Sequence, residues 1–218
     1  MKPLVCIFAH PDDEAFGPGG TIAKLAKQRP VYLICATKGE SGKHKGKKGR
    51  QNLGTIRADD LKKSAEILGV KQVFFLGFID GTLSNNLYHD IARKIERILK
   101  PIKPDTILTY EPRGISGHID HIAVSMVSSF VFHRLSFVKK ILQFCIRDSR
   151  ARRKQNYFIY RPPGYRKSEI DLVVDTRKTW DTKVKAMTEH QSQLHDIKRL
   201  VAWFKKLPKQ ENFLVITK

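Results

Sequence analysis

His10, Asp12, Asp13 and Glu14 put one imidazole and three carboxylates into five successive positions of the stretch Ala9-His10-Pro11-Asp12-Asp13-Glu14. Imidazole together with carboxylate suits a divalent metal such as zinc. Asp12 and Asp13 cannot easily share one task, because successive side chains point in different directions. One can bind metal while the other stays free as a base. Taken alone, the stretch also fits a solvated loop that ends in a helix cap. A second cluster, Gly117-His118-Ile119-Asp120-His121, lies far downstream. If a helix starts there, His118 and His121 share one face. Together the two clusters point to a divalent-metal site with one carboxylate left free as a base.

The elements around them place both clusters at one edge of a sheet. Residues 4–9 are an unbroken apolar run rich in β-formers, read as a strand buried on both faces. His10 and the carboxylates then sit where that strand stops, before the turn Gly17-Pro18-Gly19-Gly20. In an open parallel sheet ligands bind at that end. A helix follows from Thr21, with Thr21 or a neighbour as its cap, and residues 31–36 form a second strand. Residues 55–68 read as an amphipathic helix, 73–76 as a strand, 87–99 as a helix stopping before Pro101, and 105–110 as a fourth strand. The exit loop of that strand leads into His118. The pattern predicts a helix over 119–132, continuing in bent form toward Phe144. Short strands are expected at 156–160 and 170–174, helices at 176–191 and 195–205, and a closing strand at 213–217. Alternating strands and helices with short links imply a mostly parallel sheet between helical layers, an α/β Rossmann-like three-layer fold. No repeat or boundary divides the chain, so residues 1–218 read as one domain.

Composition bounds the surroundings of the site. The 218 residues carry 41 Lys and Arg against 21 Asp and Glu, a formal charge of +20. Such a surface attracts phosphates, nucleic acids or anionic membranes at low salt. The basic loop 43–50 leaves the second strand at the edge that carries the metal motif, so it is expected to flank the pocket. Few aromatics interleave the basic stretches 43–50 and 147–154, which argues against specific nucleic-acid binding. Neither Gly-x-Gly-x-x-Gly nor Gly-Lys-Ser/Thr is present, which argues against nucleotide binding. Three cysteines without a Cys-x-x-Cys give no disulfide framework and fit a reducing cytoplasm. No signal peptide or transmembrane segment is read.

Gly19-Gly20-Thr21, Thr37-x-Gly39-Glu40-x-Gly42, Arg57, Asp80-Gly81 and the group Lys185, Met187, His190, Ser192 and Gln193 complete a pattern. With the two clusters, it resembles the LmbE-like, or PIG-L, zinc-dependent N-acetylglucosamine deacetylases. The resemblance spans most of the chain in the family's order. It implies hydrolysis of an N-acetyl group on an N-acetylglucosamine-type sugar or glycoconjugate, giving free amine and acetate. The expected ligand set for one zinc ion is His10, Asp13 and His121, three groups that leave a position for water. Asp12 takes the family's general-base role. His118, if protonated, stabilises the oxyanion or protonates the leaving amine. Asp120 orients His118 or stabilises its charged form. By resemblance Arg57 contacts a substrate hydroxyl or phosphate and Asp80 binds sugar hydroxyls. Asp60 stands where the family's Arg-x-x-Glu has Glu. Glu14, His190 and Gln193 are expected behind the ligands or in structural roles. The basic surface adds the expectation of an anionic or phosphate-bearing aglycone. The oligomeric state is left open. The rival readings are a metal-dependent hydrolase of another amide or ester, and a non-catalytic basic binding module on the same fold.

Overall fold

In a computed structural model that describes residues 1–42, 53–148 and 161–218, Leu4–Phe8 forms β1, with every residue buried. Its side chains alternate between two cores. Leu4, Cys6 and Phe8 face one, and Val5 and Ile7 face the other. A strand whose residues are all apolar needs cover on both faces, and helices supply it. After the short α1 (Asp13–Phe16) come α2 (Gly19–Ala26), β2 (Val31–Thr37), α3 (Leu53–Ile67), β3 (Gln72–Phe78), α4 (Tyr88–Ile102) and β4 (Thr106–Tyr110). A strained turn, α5 (Gly114–Gly117), leads into α6 (Ile119–Arg134). The chain then forms β5 (Lys140–Cys145), β6 (Leu172–Asp175), α7 (Trp180–Glu189), α8 (Leu194–Lys205) and β7 (Gln210–Thr217).

The seven strands of the described residues lie in the order β3-β2-β1-β4-β5-β7-β6. β1 pairs in parallel with both β2 and β4, and β5 is parallel to β4. β7 runs antiparallel to β5 and β6. From β1 the chain first winds outward through β2 and β3, then returns to place β4 on the other side. That reversal leaves a crevice at the carboxyl ends of β1 and β4, where ligands bind in open α/β sheets. The first cluster leaves β1 and the second leaves β4, so both open onto this crevice.

Three elements differ from the sequence reading. The helix expected to bend on toward Phe144 ends at Arg134, and Lys140–Cys145 is a strand. A short apolar run has no periodicity to separate buried helix from buried strand. Here β4 and β7 flank it on both sides and take up its backbone groups. Helix α4 runs through Pro101 to Ile102. The proline sits in the last turn, and Lys103 closes the helix in the left-handed region by donating to Leu99 O. The N-terminus of α2 is capped from a distance rather than locally. Glu211 of β7 accepts from Gly20 N at 3.0 Å and Thr21 N at 2.7 Å. All three cysteines are buried and free. No helix among the described residues is long and apolar enough to cross a membrane. The basic loop 43–50, most of the basic stretch 147–154 and the strand expected at 156–160 lie outside the described residues.

Candidate active site

Beyond β1, the chain turns sharply because Asp12 takes φ 112, a left-handed value unusual for a residue other than glycine. Asp12 N–H donates to Glu14 Oε2 at 3.1 Å, which holds this conformation. The turn sends the two aspartates apart. Asp13 opens α1 and folds its carboxylate back, where Oδ2 accepts from Ala9 N at 3.1 Å and His10 N at 2.9 Å. At the other cluster, His118 caps α6, its Nδ1 accepting from Asp120 N at 3.2 Å. His121 follows one turn on and stacks its ring on His118.

The outer nitrogens of His10 and His121 decide what the inner ones can do. His121 Nδ1 lies 3.1 Å from Gly114 O. A carbonyl only accepts, so Nδ1 carries the proton and Nε2 presents a lone pair. His10 Nε2 lies 2.9 Å from Asp80 Oδ1 and 3.1 Å from Asp120 Oδ2. Two carboxylates only accept, so Nε2 carries a proton and Nδ1 turns its lone pair inward. His10 Nδ1 and His121 Nε2 stand 3.1 Å apart, with Asp13 Oδ1 3.3 Å from His121 Nε2 and Asp13 Oδ2 3.8 Å from His10 Nδ1. Facing lone pairs beside a carboxylate repel unless a cation lies between them. Ligand bonds of about 2.0–2.1 Å in a tetrahedral site give donor separations of about 3.3 Å, so the trio fits a divalent ion. A proton is the alternative cation. Burial lowers the His10 pKa, but the Asp120 and Asp80 hydrogen bonds and the charges of Asp13 and Asp80 outweigh it and push it up to about 10. Burial raises the Asp13 pKa, yet His121 and His10 hold it well below the usual carboxylate range. A second trio, His10, Asp80 and His118, also converges. It would need the His10 nitrogen that the two carboxylates already hold.

Asp12 faces the cavity, where Arg57 Nη2 reaches its Oδ2 at 3.0 Å. Burial raises the Asp12 pKa, Arg57 lowers it and Asp13 raises it again, leaving it at about 6. Behind Asp12, Glu14 Oε1 accepts from Ser64 Oγ at 2.5 Å and from His190 Nε2 at 2.7 Å. Burial, together with the His121 and His10 charges, lowers the His118 pKa. One cavity of about 820 Å³ is lined by His10, Asp12, Asp13, Arg57, Asp80, His118, His121 and Gln193. Glu14, Asp120 and His190 are buried outside its walls.

A model of the PIG-L family, described as GlcNAc-PI de-N-acetylase, matches residues 5–131. The chain belongs to the PIG-L family. It is 32% identical over 197 residues to a probable N-acetyl-alpha-D-glucosaminyl L-malate deacetylase 2 of Bacillus cereus, covering 88% of this chain and 84% of that protein. It is 29% identical to the diacetylchitobiose deacetylase of Thermococcus kodakarensis, covering 88% of this chain and 70% of that protein. Among solved structures, the N,N'-diacetylchitobiose deacetylase of Pyrococcus horikoshii superposes with a TM-score of 0.74 at 23% identity. That alignment covers 99% of this chain and 84% of the other, and it shows the shared fold.

In this PIG-L chain the Asp120 carboxylate bonds His10 and accepts from Gly81 N at 2.8 Å and Leu83 N at 3.1 Å. Its backbone N–H donates to His118 Nδ1, and its charge favours the charged form of His118, as one of the two expected roles required. Arg57 is buried, and the hydrogen bonds it makes go to Gly39 O at 2.8 Å, Pro11 O at 2.7 Å and Asp12. It therefore ties the Asp12 carboxylate to the Gly39 and Pro11 backbone at the cavity wall. Gly39 has φ 68, and a Cβ there would collide with the guanidinium, so the motif glycine makes room for Arg57. Asp60 accepts from Ser192 N at 3.4 Å and Oγ at 3.2 Å, which ties α3 to the His190 segment. Asp80 is shared, with Oδ1 on His10 and Oδ2 accepting from Ser41 N at 3.2 Å.

Sequence reasoning missed Tyr110 and Glu111. Tyr110 donates to Asp13 O at 3.0 Å and lays its ring 4.8 Å from that of His121. Glu111 accepts from the backbone of Arg113 and Ile115, and from Tyr165 Oη, each at 2.7 Å. It holds the loop in which Ile115 takes φ 63 beside the second cluster. Their position at the end of a buried strand was the only signal available.

Proposed function

We propose that this chain removes the N-acetyl group of an N-acetylglucosamine-type sugar or glycoconjugate, giving free amine and acetate, with one zinc ion held by His10 Nδ1, Asp13 and His121 Nε2. The observation that supports this best is the pair of inward lone pairs and the Asp13 carboxylate, packed at 3.1–3.8 Å beside a second, separately anchored carboxylate. A divalent ion held there polarises a carbonyl oxygen and acidifies water. Asp12 accepts the proton of the attacking water. Its pKa of about 6 keeps it ionised at neutral pH yet still basic enough to act. Arg57 fixes the Asp12 carboxylate in place. His118 lines the same cavity as Asp12, and its lowered pKa makes its charged form a stronger acid for the leaving amine. Asp120 and Asp80 hold the His10 ring and its tautomer, and Gly114 O does the same for His121. Asp80 also lines the cavity, within reach of a sugar hydroxyl. Residues 1–218 act as one domain in this reading, in the cytoplasm, where the three thiols stay reduced.

The test is acetate release from N-acetylglucosaminides by the purified protein, before and after chelation and after return of zinc. Release that stops on chelation and returns with zinc supports the reading. Release that chelation leaves untouched rules out the metal, and release from simple amides or esters but never from amino sugars rules out the substrate class.

A further inference from the structure

The cavity is larger than one amino sugar needs. Its volume of about 820 Å³ lies near the top of the range for small-molecule sites, about 300–1,000 Å³. A row of rings leads away from His121: its ring lies 4.8 Å from that of Tyr110, which lies 6.2 Å from that of Phe144. Phe144 lines the same cavity as the trio, together with the apolar side chains of Ile146, Trp180, Leu200, Trp203 and Phe204. The charged side chains mixed among them are largely committed to the protein itself. Lys183 Nζ donates to Gly17 O at 2.5 Å and Glu211 Oε1 at 2.6 Å. Glu211 also holds the N-terminus of α2. Lys209 donates to three backbone carbonyls and covers one face of Trp180. Arg161, Gln193, Arg199, Gln210 and Asn212 also line the cavity, but the larger share of its wall is aromatic and aliphatic.

We infer that the lobe lined by Phe144, Ile146, Leu200, Trp203 and Phe204 binds an apolar aglycone, an aryl or alkyl group attached to the N-acetylglucosamine ring whose acetamide lies at the ligand trio. The inference rests on the deacetylase reading for the sugar, but the lobe is argued from its own walls. Against these apolar walls a polar aglycone loses water with few partners to replace it, whereas an apolar one gains by leaving water. This would set the chain apart from relatives whose names specify a malate or a second amino sugar.

Both tryptophans of the chain line this cavity, so their fluorescence reports binding without catalysis. Methyl, 4-nitrophenyl and octyl N-acetylglucosaminides are titrated below their micelle concentrations, following fluorescence and acetate release in parallel. The aryl and alkyl glycosides should bind roughly tenfold to a hundredfold more tightly than the methyl glycoside, with KM falling in step and kcat changing little. Leu200→Ser and Trp203→Ala should each collapse the octyl-to-methyl ratio. Where Trp203→Ala does not fold, Leu200→Ser and the wild-type ratio carry the test. Equal affinity for all three glycosides, or a preference that survives Leu200→Ser, overturns the inference even if acetate is released from each. Tight apolar binding with no acetate from any of them leaves the lobe standing and removes the deacetylase reading instead.

Discussion

At the trio of His10, Asp13 and His121 both rings and the carboxylate are held by backbone and carboxylate partners, whereas another part of the same cavity is walled mainly by aromatic and aliphatic side chains. The trio comes from the ends of β1 and β4, adjacent parallel strands, through two runs of residues close together in the chain. The lobe comes from β5, α7, α8 and the start of β7, contributed one or two residues at a time. The difference separates two tasks. Bond hydrolysis needs atoms placed to a few tenths of an ångström, which strand ends and returning carboxylates supply. In the proposed reading, choosing what hangs from the sugar needs only a shape and a polarity, which the antiparallel edge and two helices can change without moving the trio.

The largest effect that tests this division is at the trio. His121→Ala removes one of the converging ligand groups, so the variant should lose most of its metal and its acetate release together. Metal per chain by elemental analysis after dialysis is the measurement, and full occupancy in the variant would discard the ligand set. Its fluorescence response to the octyl glycoside should survive, because the lobe is built by other elements. Next in size is Asp12→Asn. It keeps the shape but cannot accept a proton at neutral pH, and should lower kcat by about a hundredfold or more with metal retained. Asp13→Asn should instead weaken metal binding first, with activity partly recovered in excess zinc. A variant pair that behaves the other way round would exchange the two roles.

A smaller effect is expected one layer further out. Asp120 holds His10 through its carboxylate while accepting two backbone N–H groups of the loop after β3. Asp120→Asn replaces an acceptor with a group that can present a donor to the His10 N–H. Metal affinity should fall about tenfold to a hundredfold, the usual range for such outer partners. A competition titration with a chelator of known affinity measures it. Unchanged affinity would mean that Asp80 alone fixes the ring.

How much of this was legible in the sequence follows the same division. Residues 4–14 and 117–121 each carry chemistry in one short run, and the resemblance they support leads to the family, while the alternation of strands and helices gives the α/β sheet. Arg57 was noticed, but not that its guanidinium turns inward to Asp12, because a helix-borne arginine reads alike whether it faces a phosphate or a buried carboxylate. The bent continuation of the 119–132 helix toward Phe144 gives way to a strand, since a short apolar run carries no period. The lobe was not legible at all. Leu200, Trp203 and Phe204 have ordinary helical spacing, and spacing cannot say whether the partner across the gap is core or cavity. The Glu211 cap on α2 was equally hidden, because its two ends are separated by most of the chain.

The smallest predicted effect concerns the joint between the trio's surroundings and the C-terminal helices. His190 is fully buried, with Nε2 2.7 Å from Glu14 Oε1, and Glu14 in turn holds the Asp12 backbone. Burial lowers the His190 pKa, but the charge and hydrogen bond of Glu14, with the charges of Asp12 and Asp60, outweigh it, so the folded value lies above the ordinary 6.5. A group raised in this way contributes stability that is fully present below the unfolded pKa and is lost as pH rises through the folded one. His190→Gln keeps a neutral donor for Glu14 and removes only the charge. The wild type should therefore exceed the variant by on the order of 1 kcal/mol, roughly 2–4 °C in Tm, at pH 6, and the two should converge as pH is raised. One feature works against this. His190 Nδ1 has no hydrogen-bond partner among the described residues, so charging the ring buries an unpaired N–H. Thermal melts of both proteins from pH 6 to 9 decide between the two terms. A gap that narrows with pH means that the Glu14 charge prevails and the joint is an ion pair. A gap constant across that range means that the imidazole stays neutral, and that Glu14 is positioned by hydrogen bonds alone.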